Sequence, residues 1–320
     1  MNKKPSEFTG VQFIDISESQ AGQRLDNFLF KTLKALPRSR IYKIIRKGEV
    51  RINKKRVKPE YKIVAGDQLR LPPLRLDDRD DTPLQIPHSL VKQLESAVLF
   101  ENQDMIIIDK PSGVAVHSGS GVHYGVIDVF RQLRHQDDIE LVHRLDRDTS
   151  GCLMLAKRRQ ALLDLQRQLQ SNAIRKTYLA MVKGHWDPDM QSVEFPLKRQ
   201  TMPNGERRVY VDEQGQQAVT RIIRVKHFCR EDIDYSLLWI HLLTGRTHQI
   251  RVHCQAAGHE IAGDQKYGDR TFNRQVKRLG SKRLMLHALE LEILANAHTH
   301  SIKIFAPEPH EFRNLGHNTG

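Results

Sequence analysis

The stretch LVHRLDRDTSG, Leu141–Gly151, places one carboxylate, Asp146, between two arginines, Arg144 and Arg147. Neighbouring positive charge favours the ionised form of a carboxyl group, so Asp146 is expected to carry its negative charge. An ionised aspartate in a cleft acts as a nucleophile or stabilises positive charge, whereas a general acid must hold a proton. From these residues alone, a surface loop with ordinary ion pairs remains the alternative interpretation.

A second candidate segment, LLTGRTHQIRVH, spans Leu242–His253 and contains two arginines, Arg246 and Arg251. The planar guanidinium group binds a phosphate or a carboxylate in bidentate fashion, so either arginine is a candidate anion ligand. His248 and His253 do not share a helix face, and no zincin-type acidic partner follows them. A metal site is therefore not expected in this segment.

The third candidate is Tyr178, in the segment RKTYLAMVKG. An alternating strand turns Tyr178, Ala180 and Val182 to the same side. Most strand tyrosines pack in a core with a satisfied hydroxyl group, and that interpretation stays open here. Because Arg175 and Lys176 precede it, Tyr178 is also compatible with a phosphate-facing position.

An alternative interpretation is a glycosidase site in which Asp146 and Asp148 form the pair of catalytic carboxylates. On an extended segment these two carboxylates share a face, at a spacing near the roughly 5 Å that retaining glycosidases require. The Thr-Ser-Gly sequence that follows indicates a turn instead, and a basic chain suits RNA better than a neutral sugar. A glycosidase site is the least favoured interpretation.

The elements that must position these candidates lie beyond Ser96. Strands are predicted in AVLFENQDMIIIDK, LVHRLDRDTSGCLMLAK, KTYLAMVKG, VTRIIRVKHF, YSLLWIHLL, LELEIL and SIKIFAP. Helices are predicted for Arg158–Ser171 and for HQIRVHCQAAG, with Thr247 as a possible cap and Gly258 as the end. Many strands with few helices indicate an α+β fold with a larger, mixed and mainly antiparallel sheet.

A separate small α+β unit is predicted for residues 20–75. One helix is expected from Arg24, and a second over RIYKIIRKG with Ser39 as its N-cap and Gly48 as its end. The alternating stretches VRINKKRV and QLRL then predict short strands. Residues 76–95 are read as an acidic, proline-containing linker, and residues 96–315 as the larger domain.

Basic residues are concentrated in the small unit. Between Arg38 and Lys58 ten positions are Arg or Lys and only Glu49 is acidic. A solvated surface is the plain alternative. The basic residues lie on a helix and on the hairpin packed behind it, which favours a continuous basic patch, and Tyr42 adds an aromatic ring for stacking. The candidate RNA ligands of this patch are Arg38, Arg40, Lys43, Arg46, Lys47, Arg51, Lys54, Lys55 and Arg56.

The composition indicates which binding partners and which cellular compartment to expect. The net charge is +13 and the isoelectric point is about 9.7, an excess that attracts polyanions, above all nucleic acid. The three cysteines contain no CxxC pair, which favours reduced thiols in a cytoplasmic protein. No signal peptide and no membrane-spanning run are apparent, so we expect no membrane partner.

Together these segments resemble the RluA-type pseudouridine synthases. The resemblance is carried in order by HRLDRDTSG (His143–Gly151), KTYLAMVKG (Lys176–Gly184) and GRTHQIRVH (Gly245–His253), with the flanking segments DKPSGVAVH and GDQKYG. Residues from about 20 to 71 resemble an S4 RNA-binding domain. With YGDRTFNRQ (Tyr267–Gln275), the resemblance is nearest to members that modify large-subunit ribosomal RNA. It implies the pseudouridine synthase fold and the isomerisation of uridine, in which uracil is detached, rotated and rejoined through carbon.

The resemblance also implies a role for each matching position. Asp146 matches the catalytic aspartate, whether it attacks the sugar, attacks the base or abstracts a proton. Tyr178 matches the tyrosine that stacks on the target base and can transfer a proton, and Arg251 the arginine that pairs with the carboxylate. Arg144 matches the arginine that enters the RNA where the base leaves. Arg246 is a possible phosphate ligand, and Leu286, or Leu284 beside it, is expected under the base.

No cofactor and no metal are implied, because the reaction is an isomerisation. The expected partner is large-subunit ribosomal RNA or a pre-ribosomal particle, and the expected state is a monomer. Two alternatives remain: a sibling synthase that acts on transfer RNA, and a ribosome assembly factor with an S4 domain and no catalysis. The joint presence of Asp146, Tyr178 and Arg251 argues against the second alternative.

Overall fold

The computed structural model describes residues 10–33, 36, 38–74, 86–118, 124–202, 206–294 and 301–316. The chain forms two compact units, a small unit, Met1–Gln85, and a large unit, Ile86–Gly320. Residues 76–85 of the predicted linker lie outside the described part. The rest of the predicted linker belongs to the large unit, because His88–Ser96 is a helix whose Leu94 is completely buried in that unit's core.

The small unit packs two helices against one antiparallel sheet. Its elements are β1 (Gln12–Asp15), α1 (Leu25–Thr32), α2 (Arg38–Arg46), β2 (Arg51–Ile52), β3 (Lys55–Arg56) and β4 (Gln68–Leu71), with a 3-10 turn at Glu18–Gln20. The strand order is β1-β4-β2-β3. Leu25, Leu29, Ile41 and Leu69 are fully buried in its core. Helix α2 begins one residue before Ser39, so the N-cap prediction for Ser39 is wrong.

The large unit is built on one long sheet with helices around it. Its helices are α3 (His88–Ser96), α4 (Val126–Leu133), α5 (Arg159–Gln170), α6 (Gln249–Ala256), α7 (Arg270–Arg278) and α8 (His310–Gly316). Its strands are β5 (Val98–Glu101), β6 (Met105–Lys110), β7 (Glu140–Leu141), β8 (Ser150–Ala156), β9 (Ile174–Lys183), β10 (Ser192–Val193), β11 (Leu197–Thr201), β12 (Arg207–Val211), β13 (Thr220–Arg230), β14 (Ile233–Leu242), β15 (Leu286–Ile293) and β16 (Ile302–Phe305).

The main sheet has the order β10-β13-β14-β9-β15-β8-β6-β5, with β16 beside β15 and β7 beside β8. Its pairs are antiparallel except β8 with β15, while β11 and β12 form a separate hairpin. The mixed, mainly antiparallel α+β prediction is therefore confirmed. Strands β6 and β8 read as continuous apolar runs because both faces of the sheet are covered.

One glycine fixes how the loop that carries Asp146 enters the sheet. Gly151 has a φ of +104°, and a Cβ atom there would lie 2.2 Å from the carbonyl oxygen of Ala288 on β15. Only glycine permits this parallel contact between β8 and β15. The loop before it is thereby held against the start of β15, where Leu286 lies.

The longest helix among the described residues is α5, with 12 residues. A helix needs about 20 apolar residues to cross a bilayer. None of the described helices has the length and hydropathy for a membrane span.

Candidate active site

The three candidate segments meet at one cleft of the large unit, with a volume of about 500 Å³. The loop before β8, the strand β9 and the turn into α6 supply most of its wall. The six residues assigned to catalysis or substrate binding all line it: Arg144, Asp146, Tyr178, Arg246, Arg251 and Leu286. The structure thus brings together side chains that are up to 142 positions apart, from Arg144 to Leu286.

A buried lysine holds the loop that carries Asp146. The ammonium group of Lys110, at the end of β6, donates hydrogen bonds to the carbonyl oxygens of Pro111 (2.8 Å), Val114 (2.8 Å) and Arg147 (2.9 Å). Burial lowers the pKa of Lys110 to about 7, although nearby aspartates oppose the shift. The role of Lys110 was missed, although the sequence shows it inside the flanking segment DKPSGVAVH.

Asp146 is held by an arginine that is itself clamped from behind. Arg251 Nη1 donates to Asp146 Oδ2 at 2.9 Å, while Nε and Nη2 donate to the two carboxylate oxygens of Asp264 at 2.7 and 2.8 Å. The side chain of Asp264 is 1% exposed, that of Arg251 is 9% exposed, and that of Asp146 is 28% exposed. Arg251 therefore connects a fully buried carboxylate to one that is open to the cleft.

The electrostatics of the buried Arg251–Asp264 pair keep both of these groups charged. Burial lowers the pKa of Arg251, but the hydrogen bonds and charge of Asp264, with those of Asp146, more than offset it and raise the pKa. Burial raises the pKa of Asp264, but Arg251 and the backbone N–H groups of Tyr267 and Lys266 reverse the shift and lower it. Asp264 was missed because nothing in GDQKYG marks its carboxylate as buried.

His248 is a second neighbour of the same carboxylate oxygen. Its Nε2 lies 3.8 Å from Asp146 Oδ2, and its Nδ1 lies 2.8 Å from the hydroxyl oxygen of Tyr267. Burial lowers the pKa of His248, against the opposing charge of Asp146 and together with that of Arg251 and Lys266. Sequence reasoning weighed this histidine only as a metal ligand and so missed its place beside Asp146.

The turn before α6 differs from its prediction. His248, not Thr247, occupies the N-cap position, in a left-handed conformation with φ 53°. The turn is fastened by Gln249, whose Oε1 accepts from the Thr244 hydroxyl at 2.8 Å and from the backbone N–H of Arg246 at 3.0 Å. Arg246 therefore lies in the turn before the helix.

Tyr178 and Leu286 form the apolar floor of the cleft, on the neighbouring strands β9 and β15. Tyr178 is 5% exposed and Leu286 is 4% exposed. Burial, together with the charge of Asp146, raises the pKa of Tyr178, so its phenol keeps its proton. Leu284 is equally buried but is not part of the cleft wall, so Leu286 is the leucine that the cleft presents.

Cations surround the opening of the cleft. Arg144 and Arg246 are exposed, and Arg246 Nε donates to the carbonyl oxygen of Gln217 at 3.2 Å. Lys176 is half-buried in the cleft wall, on the same face of β9 as Tyr178. Its ammonium group forms no hydrogen bond or ion pair with any described residue. Burial lowers the pKa of Lys176. These three side chains are placed to meet an anion that enters the cleft.

The basic side chains of the small unit are more exposed than the catalytic residues of the cleft. Most of its candidate RNA ligands are exposed, namely Lys43, Arg46, Lys47, Arg51, Lys54, Lys55 and Arg56, while Arg40 is half-buried. The side chain of Arg38 lies outside the described part of the structure. Tyr42 packs edge-on against Phe30 with ring centroids 5.7 Å apart, and its hydroxyl lies 3.3 Å from Asp26, so it is partly engaged within the fold.

No group of three or more metal-ligating side chains with suitable geometry occurs in the described residues. In the cleft, Arg251 holds Asp146 and is itself held from behind by the buried Asp264. Their arrangement offers one fixed carboxylate, an apolar floor and a cationic rim, which suits a planar uncharged base attached to a phosphate backbone.

Comparison with known proteins gives concordant results. Residues 104–256 match the family described as RNA pseudouridylate synthase, and residues 23–69 match the S4 domain. Ribosomal large subunit pseudouridine synthase C of Pasteurella multocida is 45% identical, covering 98% of this chain and 97% of the relative. The protein of the same name from Escherichia coli K12 is 45% identical over 94% of both chains. The structure of human RNA pseudouridylate synthase domain containing 1 matches with a TM-score of 0.56 and 25% identity, covering 68% of this chain and 85% of that one.

Proposed function

The chain belongs to the RNA pseudouridylate synthase family, and on that premise we propose that it isomerises uridine to pseudouridine at selected sites of large-subunit ribosomal RNA. The observation that carries this proposal is the pairing of Arg251 with Asp146 in a cleft whose floor is apolar. The choice of RNA is supported by relatives named as large-subunit enzymes, which are 45% identical over almost the whole chain.

The reaction needs one well-placed carboxylate and no external reductant or oxidant. The C1′–N1 bond of uridine breaks, a C1′–C5 bond forms, and the proton lost from C5 is balanced by one gained at N1. Oδ2 of Asp146 is held by Arg251, whereas Oδ1 has no hydrogen-bond partner among the described residues. We therefore assign Oδ1 as the oxygen that meets the substrate, by attack on sugar or base or by proton abstraction.

The cleft floor suits a base that has left its helix. Removing a base from its stack costs a few kcal/mol, and contacts in the pocket must offset that cost. Tyr178 stacks on the uracil ring, Leu286 supports it from the neighbouring strand, and the protonated phenol is available for proton transfer. Arg144, exposed at the rim, fills the space that the base leaves in the RNA.

Phosphate contacts then fix the RNA on the protein. At the cleft, Lys176 and Arg246 are the candidate ligands for phosphates that flank the target nucleotide. In the small unit, the exposed lysines and arginines of the patch supply affinity that does not depend on sequence. We extend the proposal to a monomer in the cytoplasm that acts on ribosomal RNA or a pre-ribosomal particle. The basic composition supports the RNA partner, and the free cysteines support the cytoplasm.

The test is to incubate the purified protein with unmodified large-subunit ribosomal RNA and to map pseudouridine by carbodiimide-dependent reverse-transcription stops. The Asp146→Asn variant is the matched control, since it keeps the size of the side chain and removes its charge. New stops that vanish with Asp146→Asn are expected. Stops on transfer RNA alone would reassign the substrate to that RNA. No stops on either RNA, with tight binding, would favour the non-catalytic assembly factor.

A further inference from the structure

Tyr267 lies behind both partners of the catalytic carboxylate. Its ring centroid is 5.0 Å from the guanidinium carbon of Arg251 and 5.4 Å from the centroid of the His248 ring. It belongs to a small separate core under the β11–β12 hairpin, with Val209, Val252, Leu197 and Ala218. The side chain is 5% exposed, so its hydroxyl group must find its hydrogen-bond partners inside the protein.

The hydrogen bonds of this hydroxyl determine where its proton goes. The backbone N–H of Val209 donates to the Tyr267 oxygen at 3.0 Å, which uses the oxygen as an acceptor. The only other described partner of that oxygen is Nδ1 of His248, at 2.8 Å. If Nδ1 also donated, the buried phenol proton would have no acceptor among the described residues, which costs about 1–3 kcal/mol. Tyr267 therefore donates to Nδ1.

The tautomer of His248 follows from that assignment. A neutral imidazole that accepts at Nδ1 carries its proton on Nε2. Nε2 is the nitrogen that lies 3.8 Å from Asp146 Oδ2. The opposite tautomer would turn a lone pair towards the carboxylate, so the contact with Asp146 favours the same assignment.

We propose that Tyr267 and His248 are positioning residues for Asp146, in which Tyr267 fixes the tautomer that directs the Nε2–H group of His248 at the carboxylate. This inference rests on the proposed function of the cleft. At 3.8 Å the contact is longer than a hydrogen bond. A movement of the Asp146 side chain by about 1 Å closes it, as catalytic hydrogen bonds tighten when substrate binds.

In this arrangement Oδ2 of Asp146 has two donors. Arg251 holds Oδ2 of Asp146 in the resting enzyme, and His248 adds a second donor when the Asp146 side chain moves towards it. Both donors pack against the same tyrosine ring. Oδ1 then remains aimed at the target nucleotide while Oδ2 changes its position.

Three substitutions separate this role from a purely structural one. His248→Asn suits the left-handed backbone at φ 53° and still reaches Tyr267, but it lacks a group at the position of Nε2. His248→Gln extends a donor to about that position. Tyr267→Phe keeps the ring contacts and removes only the hydroxyl group.

The first readout is nitrogen NMR of the intact protein with ¹⁵N-labelled histidine, using His248→Asn to assign the His248 signals. The expected spectrum at neutral pH shows Nε2 protonated and Nδ1 unprotonated, and Tyr267→Phe weakens that preference. A protonated Nδ1 in the wild type, or an unchanged tautomer in Tyr267→Phe, would overturn the proposal. This readout does not depend on the RNA substrate, so it separates failure of this inference from failure of the proposed function.

The second readout is single-turnover pseudouridine formation at saturating protein. His248→Asn is expected to lower the rate roughly 10- to 100-fold with unchanged RNA affinity, the usual range for a residue that orients a catalytic ligand. His248→Gln is expected to recover most of that rate. A wild-type rate in His248→Asn, or equal loss in both variants, would contradict the positioning role.

Discussion

The two units of this chain use positive charge in opposite ways. In the small unit, Lys54, Lys55 and Arg56 are exposed on the hairpin formed by β2 and β3. In the large unit, Arg251 is 9% exposed and held by Asp264 and Asp146 at 2.7–2.9 Å. Exposed cations are screened by salt and keep their mobility, whereas a buried guanidinium has one orientation and acts in a low dielectric.

Each unit is therefore suited to a different task. Exposed cations bind phosphates by releasing counterions, and each contributes a similar and replaceable share of the affinity. Buried charges that share partners are coupled, so the loss of one changes the others. We therefore expect substitutions in the small unit to weaken binding in small steps, and substitutions in the cleft to remove catalysis in one step.

The largest combined effect on stability and rate is expected for Arg251→Met. It leaves Asp264 as a buried, unpaired carboxylate, which costs on the order of 3 kcal/mol of stability, and it releases Asp146, which lowers the rate roughly 1000-fold. Both tryptophans, Trp186 and Trp239, lie in the large unit, so their fluorescence during urea unfolding reports that unit.

The matched control is the double variant Arg251→Met with Asp264→Asn. It removes the unpaired charge and is expected to recover stability without recovering activity. Recovery of both properties would mean that Arg251 only stabilises the fold. The buried charge of Arg251 would then have no part in catalysis, and the two units would not differ in the way described above.

The next effect is expected for Tyr178→Phe. The ring still stacks on the base, so RNA affinity stays within about twofold, but the protonated hydroxyl is lost and the rate falls roughly 100-fold. The measurement is single-turnover product formation beside an equilibrium binding curve. An unchanged rate would restrict Tyr178 to stacking.

The two units are also expected to respond differently to acid. Burial lowers the pKa of His287, on β15 under the cleft, to about 4 from 6.5. Below pH 6.5 the unfolded chain binds a proton that the folded chain does not, so stability falls as the pH drops towards 4, by on the order of 3 kcal/mol. His143, whose pKa burial lowers to about 3, adds to the same trend.

Hydrogen exchange of the intact chain measures this difference unit by unit. Between pH 6.5 and 4 the large unit is expected to lose protection while the small unit keeps more of it. The variant His287→Gln removes one of the titrating groups and is expected to make the loss shallower. An identical pH dependence in that variant would show that another group controls the acid response.

The smallest effect is expected for the double variant Lys54→Gln with Lys55→Gln. Each lost phosphate contact lowers the slope of log affinity against log salt by roughly 0.7–0.9, so the two together lower it by about 1.5. Lys92→Gln, an exposed cation on α3 of the large unit, serves as the control and leaves the slope unchanged. Equal slopes in the wild type, the double variant and Lys92→Gln would show that Lys54 and Lys55 do not contact the RNA.

Much of this arrangement could be predicted from the sequence because it rests on local patterns. The alternating and apolar runs predicted most of the strands, but not β10, β11 and β12, and the ordered motifs predicted which side chains would meet. The helices α3, α4, α7 and α8 were not predicted. His88–Ser96 was read as part of a linker because its apolar residues are few and prolines precede it, although Leu94 is fully buried.

Local sequence patterns could not reveal the buried residues that support the cleft from behind. Lys110, Asp264 and Tyr267 look like ordinary polar residues in the sequence, and only the folded chain buries them against Arg147, Arg251 and His248. Burial of a charged or hydroxyl group depends on contacts between distant segments, which local periodicity does not encode. His248 shows the same limit, since its role depends on Tyr267, 19 positions away.

One paired measurement tests whether the chain separates the charges that bind RNA from the charges that serve catalysis. RNA affinity and single-turnover rate at saturating protein are measured on the same unmodified large-subunit RNA for Asp146→Asn and for Lys54→Gln with Lys55→Gln. We predict that the first variant binds normally and forms no pseudouridine, and that the second binds more weakly and reacts at nearly the wild-type rate. Parallel losses of affinity and rate in both variants would contradict the account.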